Sequence, residues 1–155
     1  MEEISNNSKP IIRPQLLTVL AILSFIGSGM SFFSYFIMGI YYHSFLVVIQ
    51  TNLSDMYSQM GIDIDIGFIE EFFVKAGRFF FILTSLAYAV SLYGIYKMWN
   101  LQKDGLHYYA ISQLVILILP LIFVSPQMPV FSSLLLTTLF ILLYYRGFKM
   151  IENEK

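Results

Sequence analysis

Residues 79–124, FFFILTSLAYAVSLYGIYKMWNLQKDGLHYYAISQLVILILPLIFV, decide the fold of this chain. Two uncharged apolar runs, residues 79–96 and 106–124, flank the polar turn KMWNLQKDG at residues 97–105. Each run is 18 or 19 residues long, and about 20 apolar residues in a helix cross the hydrocarbon core of a bilayer. The stretch therefore predicts a hairpin of two membrane-spanning helices. Gly105 is expected to end the extension of the first one, because glycine commonly terminates helices.

The composition is typical of an integral membrane protein. Hydrophobic residues make up 57% of the 155-residue chain and charged residues only 12%, whereas soluble domains average about 25% charged residues. A net charge of −1, without clusters of Lys and Arg among aromatic residues, argues against a nucleic-acid partner. The absence of cysteine excludes disulfides, thiol catalysis and cysteine-ligated metals. We expect no cofactor.

A first spanning helix is predicted at residues 16–41. The surrounding residues 14–54 contain no Asp, Glu, Lys or Arg. A secretory signal peptide is the alternative, because Lys9 and Arg13 precede the apolar core. The hydrophobic run continues well beyond the small residues that a cleavage site would use. We therefore favour an uncleaved helix, preceded by a cytoplasmic tail at residues 1–13.

A fourth helix is predicted after the hairpin. The uncharged run that begins at the hairpin turn is 41 residues long, too long for one span of about 20 residues. Pro126 and Pro129 mark the break within it, which predicts the fourth helix at residues 130–145. Residues 14–150 thus form one domain, an all-α four-helix transmembrane bundle, and residues 151–155 form a second cytoplasmic tail.

The longest segment outside the predicted spans is residues 43–78. Its first half has apolar residues at three- and four-residue spacing, which predicts an amphipathic helix. The residues with this spacing are Leu46, Ile49, Leu53, Met56 and Met60. The alternating sequence at residues 61–67 predicts an extended turn. Helical spacing then returns, so the second helix is expected to begin near Phe68 and to enter the membrane near Phe79.

The distribution of Lys and Arg predicts the orientation. Seven of these residues lie before the first predicted span, in the hairpin turn or after the fourth predicted span, whereas two lie in residues 43–78. Because Lys- and Arg-rich loops remain in the cytoplasm, both termini are predicted to be cytoplasmic and residues 43–78 extracytoplasmic. Aromatic residues at helix ends form belts at the headgroup level. The predicted cytoplasmic belt contains Tyr93, Tyr96, Trp99, Tyr108, Tyr109, Tyr144 and Tyr145, and the opposite belt contains Tyr41 and Tyr42.

Small residues on the first helix form one candidate packing surface, which contains Ser24, Gly27, Ser28 and Ser31. Small residues let helices approach closely in lipid. They either pack within this chain, which we favour, or form the seam of a homodimer. Other polar residues in the spans predict interhelical hydrogen bonds or, alternatively, a groove lined for a substrate. They are Thr84, Ser85, Ser112, Gln113, Ser132, Ser133, Thr137 and Thr138.

Acidic residues form a second candidate site in the outer segment. Asp63, Asp65, Glu70 and Glu71 carry the oxygen ligands that Ca²⁺ or Mg²⁺ prefers, but their spacing does not match a calcium-binding loop. A solvated acidic turn followed by a helix start explains them better. Glu71 and Lys75 are also expected to pair, since they lie four residues apart on a helix.

Charged residues near the predicted membrane boundary are a third candidate. Arg78 lies where the second helix enters lipid, and it either extends toward the headgroups, pairs with Glu71 or binds an anionic ligand. Basic and aromatic residues at the cytoplasmic boundary either anchor the topology or hold lipid headgroups. These lipid-interface candidates are Lys97, Trp99, Lys103 and Arg146. His43 and His107 are predicted at opposite sides of a ~30 Å core, so they do not form one haem or zinc site.

Two stretches of sequence carry a family resemblance. The first is RPQLLTVL at residues 13–20 with FIGSG at residues 25–29. The second comprises Gly94, Met98, Trp99, Lys103, Gly105 and Tyr109. Across about a quarter of its length, the chain resembles a group of small uncharacterised four-helix inner-membrane proteins of Bacteroidetes-type bacteria. The resemblance implies four helices and a bacterial inner-membrane location, and it brings no activity or functional residues.

The sequence favours a structural or interaction protein that is not an enzyme. Such a subunit would act through helix packing or its outer segment, in contact with the bilayer and with a second copy or another membrane protein. An oligomeric transporter or channel is the alternative, because Ser, Thr and Gln lie within the spans. A lipid-modifying enzyme is a third hypothesis, which rests on Asp63, Asp65 and the basic residues. Proton-coupled export is disfavoured, since the predicted spans contain essentially no ionisable residue.

Overall fold

The computed structural model describes residues 14–53, 59–60, 67–125 and 131–153. Within these ranges all regular structure is helical and no strand occurs, which confirms the predicted all-α class. The elements are α1 (Gln15–Ile40), α2 (Tyr42–Val48), a π-helical turn (Ile49–Leu53), α3 (Gly67–Trp99), α4 (Asp104–Phe123) and α5 (Phe131–Asn153). Four of them, α1, α3, α4 and α5, are long and apolar enough to cross a membrane. Each of them overlaps one of the four predicted spans.

The hairpin of α3 and α4 is closed by a short turn at residues 100–103. Leu101 adopts a left-handed conformation with φ of 59°, and the backbone N–H of Gln102 donates to the carbonyl of Lys97. This is the pattern of a Schellman C-cap, in which glycine is the usual left-handed residue. The prediction that Gly105 ends the first hairpin helix is therefore wrong, because Leu101 takes the left-handed position at the end of α3. Gly105 lies in the first turn of α4, where it permits close contact with α3.

That close contact brings α4 onto α3 at the turn. A Cβ atom added to Gly94 would lie 2.7 Å from the backbone nitrogen of Tyr109 and 2.8 Å from the carbonyl oxygen of Gly105. Only glycine leaves room for backbones at this separation. Such close approach increases van der Waals packing, which together with hydrogen bonding holds helices together in lipid.

Apolar side chains form two clusters, one at each end of the long helices. The first lies at the end that contains the turn at residues 100–103, here called the turn end. Its buried members are Leu17, Leu20, Ala21, Ile95, Met98, Tyr109, Tyr144, Phe148 and Ile151. The second lies at the opposite end, where α1 stops and α3 bends, here called the bend end. Its buried members are Ile49, Phe73, Ala76, Phe80, Phe81 and Leu119.

Helix α5 extends further than predicted. The sequence placed its end at Tyr145 and a tail at residues 151–155, because charged residues begin at Arg146. The helix in fact continues to Asn153. Phe148 and Ile151 remain on the buried stripe that includes Tyr144, while Arg146 and Lys149 lie on the exposed side. The apolar stripe thus continues past the first charges, and α1 packs on it.

Both chain segments at the bend end are broken helices. A bend at Tyr41 separates α1 from α2, and α3 is interrupted at Gly77, whose φ is 64° and ψ 168°. α3 begins at Gly67, within one residue of the predicted start. In the predicted amphipathic segment, α2 ends at Val48 and a π-helical turn follows, so its described residues up to Leu53 are helical. Its continuation at Met56, and the predicted extended turn at residues 61–66, lie outside the described residues.

Candidate functional site

Two reciprocal hydrogen bonds hold the bend end together. The Nε of Arg78 donates to the carbonyl oxygen of Gly39 at 3.0 Å. The hydroxyl of Tyr42 donates to the carbonyl oxygen of Phe73 at 2.9 Å. Gly39 lies in the last turn of α1, where carbonyls have no donor within the helix and where positive charge is favourable. Arg78 therefore has a structural partner, which differs from each of the three roles considered from the sequence.

The acidic residues of the segment 43–78 that the structure describes are also engaged in local contacts. The carboxylate of Glu71 forms an ion pair with Lys75 at 2.6 Å, which confirms the predicted pair. The carboxylate of Glu70 accepts a hydrogen bond from Gln50 at 3.0 Å. Asp63 and Asp65 lie outside the described residues. Among the described residues, no group of three or more potential metal ligands comes together.

A layer of polar side chains lies between the two apolar clusters. The hydroxyls of Ser28 and Ser91 are 3.1 Å apart, and the side-chain amide of Gln113 donates to the Ser91 hydroxyl at 3.2 Å. Ser91 has an exposed fraction of 0%. This network joins α1, α3 and α4 and supports the interhelical hydrogen-bonding interpretation of Gln113. Thr84 and Ser112 instead donate to carbonyls of their own helices.

Two tyrosines assigned to the cytoplasmic belt belong to the core. The hydroxyl of Tyr144 donates to Ser24 at 3.0 Å, and Tyr144 has an exposed fraction of 0%. Tyr109 is buried as well, and its ring lies edge-on to that of Tyr144. The belt assignment was therefore wrong for this pair, because both rings point toward α1. Their sequence neighbours Tyr108 and Tyr145 are exposed and fit the predicted belt.

The small residues of α1 divide into two groups. Ser24 and Ser28 are buried and bond to α5 and α3, so they pack within this chain, as we favoured. Gly27 is exposed, and a Cβ added to it would meet nothing within 4 Å. Ser31 is half-buried. Ser24 and Ser28 of this packing surface on α1 thus contact other helices of the chain, whereas Gly27 is exposed.

The lipid-interface candidates also occupy different environments at the turn end. Trp99 is half-buried and its ring contacts Phe25, so it packs on the protein. The ammonium group of Lys97 lies 5.4 Å from the ring centre of Tyr93 and 5.0 Å from that of Tyr108. Lys103 and Arg146 are exposed. The ammonium of Lys97 thus lies close to two aromatic rings from different helices.

Helix α5 is packed along only half of its length. Tyr144, Phe148 and Ile151 are buried, and burial then falls along the same stripe toward the bend end. Phe140 and Thr137 are half-buried, and Ser133 is exposed. Residues at this spacing share one helical face. Phe140 still packs against the turn-end cluster. Beyond it the same face continues into a less covered surface, which we call the open stripe of α5 (Ser133 and Thr137).

Ser91 was the functional candidate that sequence reasoning missed. It belongs to a series of small or polar residues on α3 that are buried at three- and four-residue spacing. The series is Thr84, Ala87, Ser91 and Gly94. The criterion used for Ser24 and Ser28 on α1 would have identified this series too. Ser133 and Thr137 of the open stripe of α5 were marked in the sequence as polar residues within a span, but their exposure depends on the neighbouring helices.

Comparisons of the chain with protein-family models, curated proteins and solved structures find no match. The geometry of the described residues is therefore the basis for a functional proposal.

Proposed function

We propose that this protein is a non-enzymatic interaction subunit of a bacterial inner membrane. Its four long helices cross the bilayer as a bundle, with both termini in the cytoplasm. It binds a second copy or another membrane protein through the open stripe of α5. The four helices apolar enough to span support the topology, and the Lys and Arg distribution supports the orientation. The inner-membrane location follows from the resemblance of residues 13–29 and 94–109.

The observation that carries the proposal is the loss of burial along one face of α5. Tyr144 is fully buried on this face, whereas Ser133 is exposed on it. Lipid covers apolar side chains well, but small and hydroxyl residues gain from close helix contact and hydrogen bonds across helices. Ser133 and Thr137 continue a face that already packs against protein. A helix from a partner would extend that packing toward the bend end.

Single-cysteine cross-linking tests the proposal, because the native chain contains no cysteine. Ser133→Cys and Thr137→Cys place thiols on the open stripe. Leu135→Cys is the matched control, since Leu135 is exposed on the opposite face of the same helix turn. Oxidation in native membranes should yield a cross-linked product with the two stripe variants and little with the control. A mass of twice the chain would identify a second copy as the partner.

Two outcomes would refute the proposed interface. One is a monomer with all three variants, both under oxidation and with a short reagent that joins a thiol to a lysine amine and so also captures a partner without cysteine. The other is equal product with Leu135→Cys, which would indicate random collision in the bilayer.

An oligomeric channel or transporter for small solutes is the second candidate. The observation that favours it is the exposure of hydroxyl residues on α5 toward the bend end, at Ser132, Ser133 and Thr138. Several copies that assemble through α5 would bring these hydroxyls together. Proteoliposomes containing cross-linked oligomer would then show flux of ions or small solutes, and flux that remains at background would eliminate this candidate.

A further inference from the structure

The turn end holds a lysine between two tyrosine rings from different helices. Lys97 is in the last turn of α3, Tyr93 is one turn before it, and Tyr108 is in α4. The Lys97 ammonium lies 5.4 Å and 5.0 Å from the two ring centres. The rings are edge-on to each other with centres 5.4 Å apart. Cation–π attraction acts at these distances, so the ammonium is held in place.

The close approach of α3 and α4 sets the spacing of this arrangement. Gly94 follows Tyr93 directly, and its backbone contacts the backbone of Tyr109, which follows Tyr108. The two rings are therefore attached to the most tightly packed part of the hairpin. Because the Lys97 side chain is already held by the two rings, it loses little conformational entropy when it binds a ligand, and this favours affinity.

The charge of Lys97 is not neutralised by the described part of the chain. Its contacts there are the two rings, and Asp104 in the same region is exposed and forms no ion pair with it. The ammonium of Lys97 thus has N–H donors that are not paired with an acidic group among the described residues. An anion with several oxygen acceptors is its natural ligand.

Apolar surfaces adjoin the lysine on both helices. Beyond Tyr93 on α3, Val90 and Leu86 are exposed on the same stripe. Beyond Tyr108 on α4, Ile111 and Val115 are exposed on the same stripe. A ligand with an anionic head and long apolar chains would contact Lys97 and both stripes at once. A free phosphate ion would contact only the lysine.

We propose that Lys97, Tyr93 and Tyr108 form a binding site for the headgroup phosphate of an anionic phospholipid, whose acyl chains lie on the stripes of α3 and α4. This site is separate from the open stripe of α5 and goes beyond the proposed interaction function. It also assigns a ligand to one of the residues that the sequence left as a topology anchor or a lipid contact.

Native mass spectrometry of the purified full chain tests the site with phosphatidylglycerol and phosphatidylcholine as probes. The wild-type protein should retain phosphatidylglycerol in preference to phosphatidylcholine. Lys97→Gln should lower retained phosphatidylglycerol about fivefold, the factor expected for one Lys at an anionic surface. Lys149→Gln is the matched control, because it removes an equal exposed charge from α5, and it should retain wild-type binding.

Two further variants keep the test decisive if Lys97→Gln unfolds. Lys97→Arg retains the charge and should bind as the wild type does. Tyr108→Leu retains apolar bulk but removes one ring, and it should lower binding. Equal losses with Lys97→Gln and Lys149→Gln would overturn the proposal, because they would indicate general surface charge. Displacement of the lipid by millimolar glycerol phosphate would also overturn it, because the anion alone would then be sufficient.

Discussion

Gly94 of α3 and Gly105 of α4 lie with their backbones in contact. A Cβ added to Gly105 would be 2.5 Å from the carbonyl oxygen of Gly94, and one added to Gly94 would be 2.8 Å from that of Gly105. These atoms belong to the main chain, so no side chain can move aside to make room. The pair fixes the separation of the hairpin helices and, with it, the positions of Tyr93 and Tyr108.

Gly94→Ala should separate the hairpin and destabilise the protein. We expect a cost of about 1–3 kcal/mol, the range found for overpacked cores, because the new methyl group would meet backbone atoms. Thermal unfolding in detergent measures the effect. Gly27→Ala is the control, since Gly27 has nothing within 4 Å of an added Cβ. An unchanged midpoint for Gly94→Ala would show that the hairpin tolerates a wider separation.

Gly77→Ala should disturb the bend in α3. The conformation of Gly77, with φ of 64° and ψ of 168°, lies in a region that is essentially limited to glycine and costs other residues about 1–3 kcal/mol. No atom lies within 4 Å of an added Cβ, so the cost is conformational and not steric. Gly29→Ala, in an equally open helical position, should be neutral or stabilising.

The effect of Gly77→Ala on the bend can also be measured as a change in the distance between α2 and α3. Spin labels attached through Ser44→Cys in α2 and Val74→Cys in α3 report on the bend end, because both residues are exposed. Gly77→Ala should shift or broaden the distance distribution between these labels. A distribution identical to that of the glycine parent would argue against Gly77 as the determinant of the bend.

Arg78→Met should loosen the bend end more than Lys75→Met does. Arg78 supplies a hydrogen bond to the Gly39 carbonyl at 3.0 Å, and hydrogen bonds to charged groups contribute about 1.5–3 kcal/mol at most sites. Since Arg78 is exposed, we expect a loss of about 1 kcal/mol. The exposed Lys75–Glu71 pair should contribute no more than about 0.5 kcal/mol. Amide hydrogen exchange in α2 and at the start of α3 measures the difference.

Ser91→Ala should uncouple α1 from α4. The change leaves the hydroxyl of Ser28 and the amide of Gln113 without the partner they share. Hydrogen bonds between helices in membranes contribute about 0.6 kcal/mol on average, so we expect a loss of about 1 kcal/mol for the two bonds. The double variant with Ser28→Ala should cost less than the sum of the single changes.

Ser34→Ala is the control for this series, because Ser34 is exposed on the same helix as Ser28 and should be neutral. Strict additivity of the Ser28 and Ser91 changes would contradict a shared hydrogen bond.

Thiol labelling tests the proposed orientation. Ser44→Cys lies at the bend end and Gln102→Cys in the hairpin turn, and both native residues are exposed. A membrane-impermeant maleimide should label Ser44→Cys in intact cells. It should label Gln102→Cys only after permeabilisation, because the Lys- and Arg-rich side is predicted to be cytoplasmic. The opposite labelling pattern would invert the topology.

The sequence predicted the long helices well because the signals for them are local. An uncharged apolar run of sufficient length is visible in residues 79–96 or 106–124 without any neighbour. The ion pair of Glu71 and Lys75 could likewise be predicted from local sequence, because the two residues lie four apart on one helix. Errors arose where one helix end depends on another helix. The end of α5 was placed too early because the contacts of Phe148 and Ile151 with the rest of the protein outweigh the nearby charges.

By itself, the sequence determined the all-α class, the number of long apolar helices and their limits to within a few residues at most ends. The tertiary structure decided which side of each helix is buried. Tyr108 and Tyr109 are adjacent in the chain, yet one borders Lys97 on the surface and the other is in the core. Hydropathy describes position along a helix, whereas the direction that a side chain faces depends on the neighbouring helices. The close contact of Gly94 with Gly105 and the open stripe of α5 both depend on such neighbours.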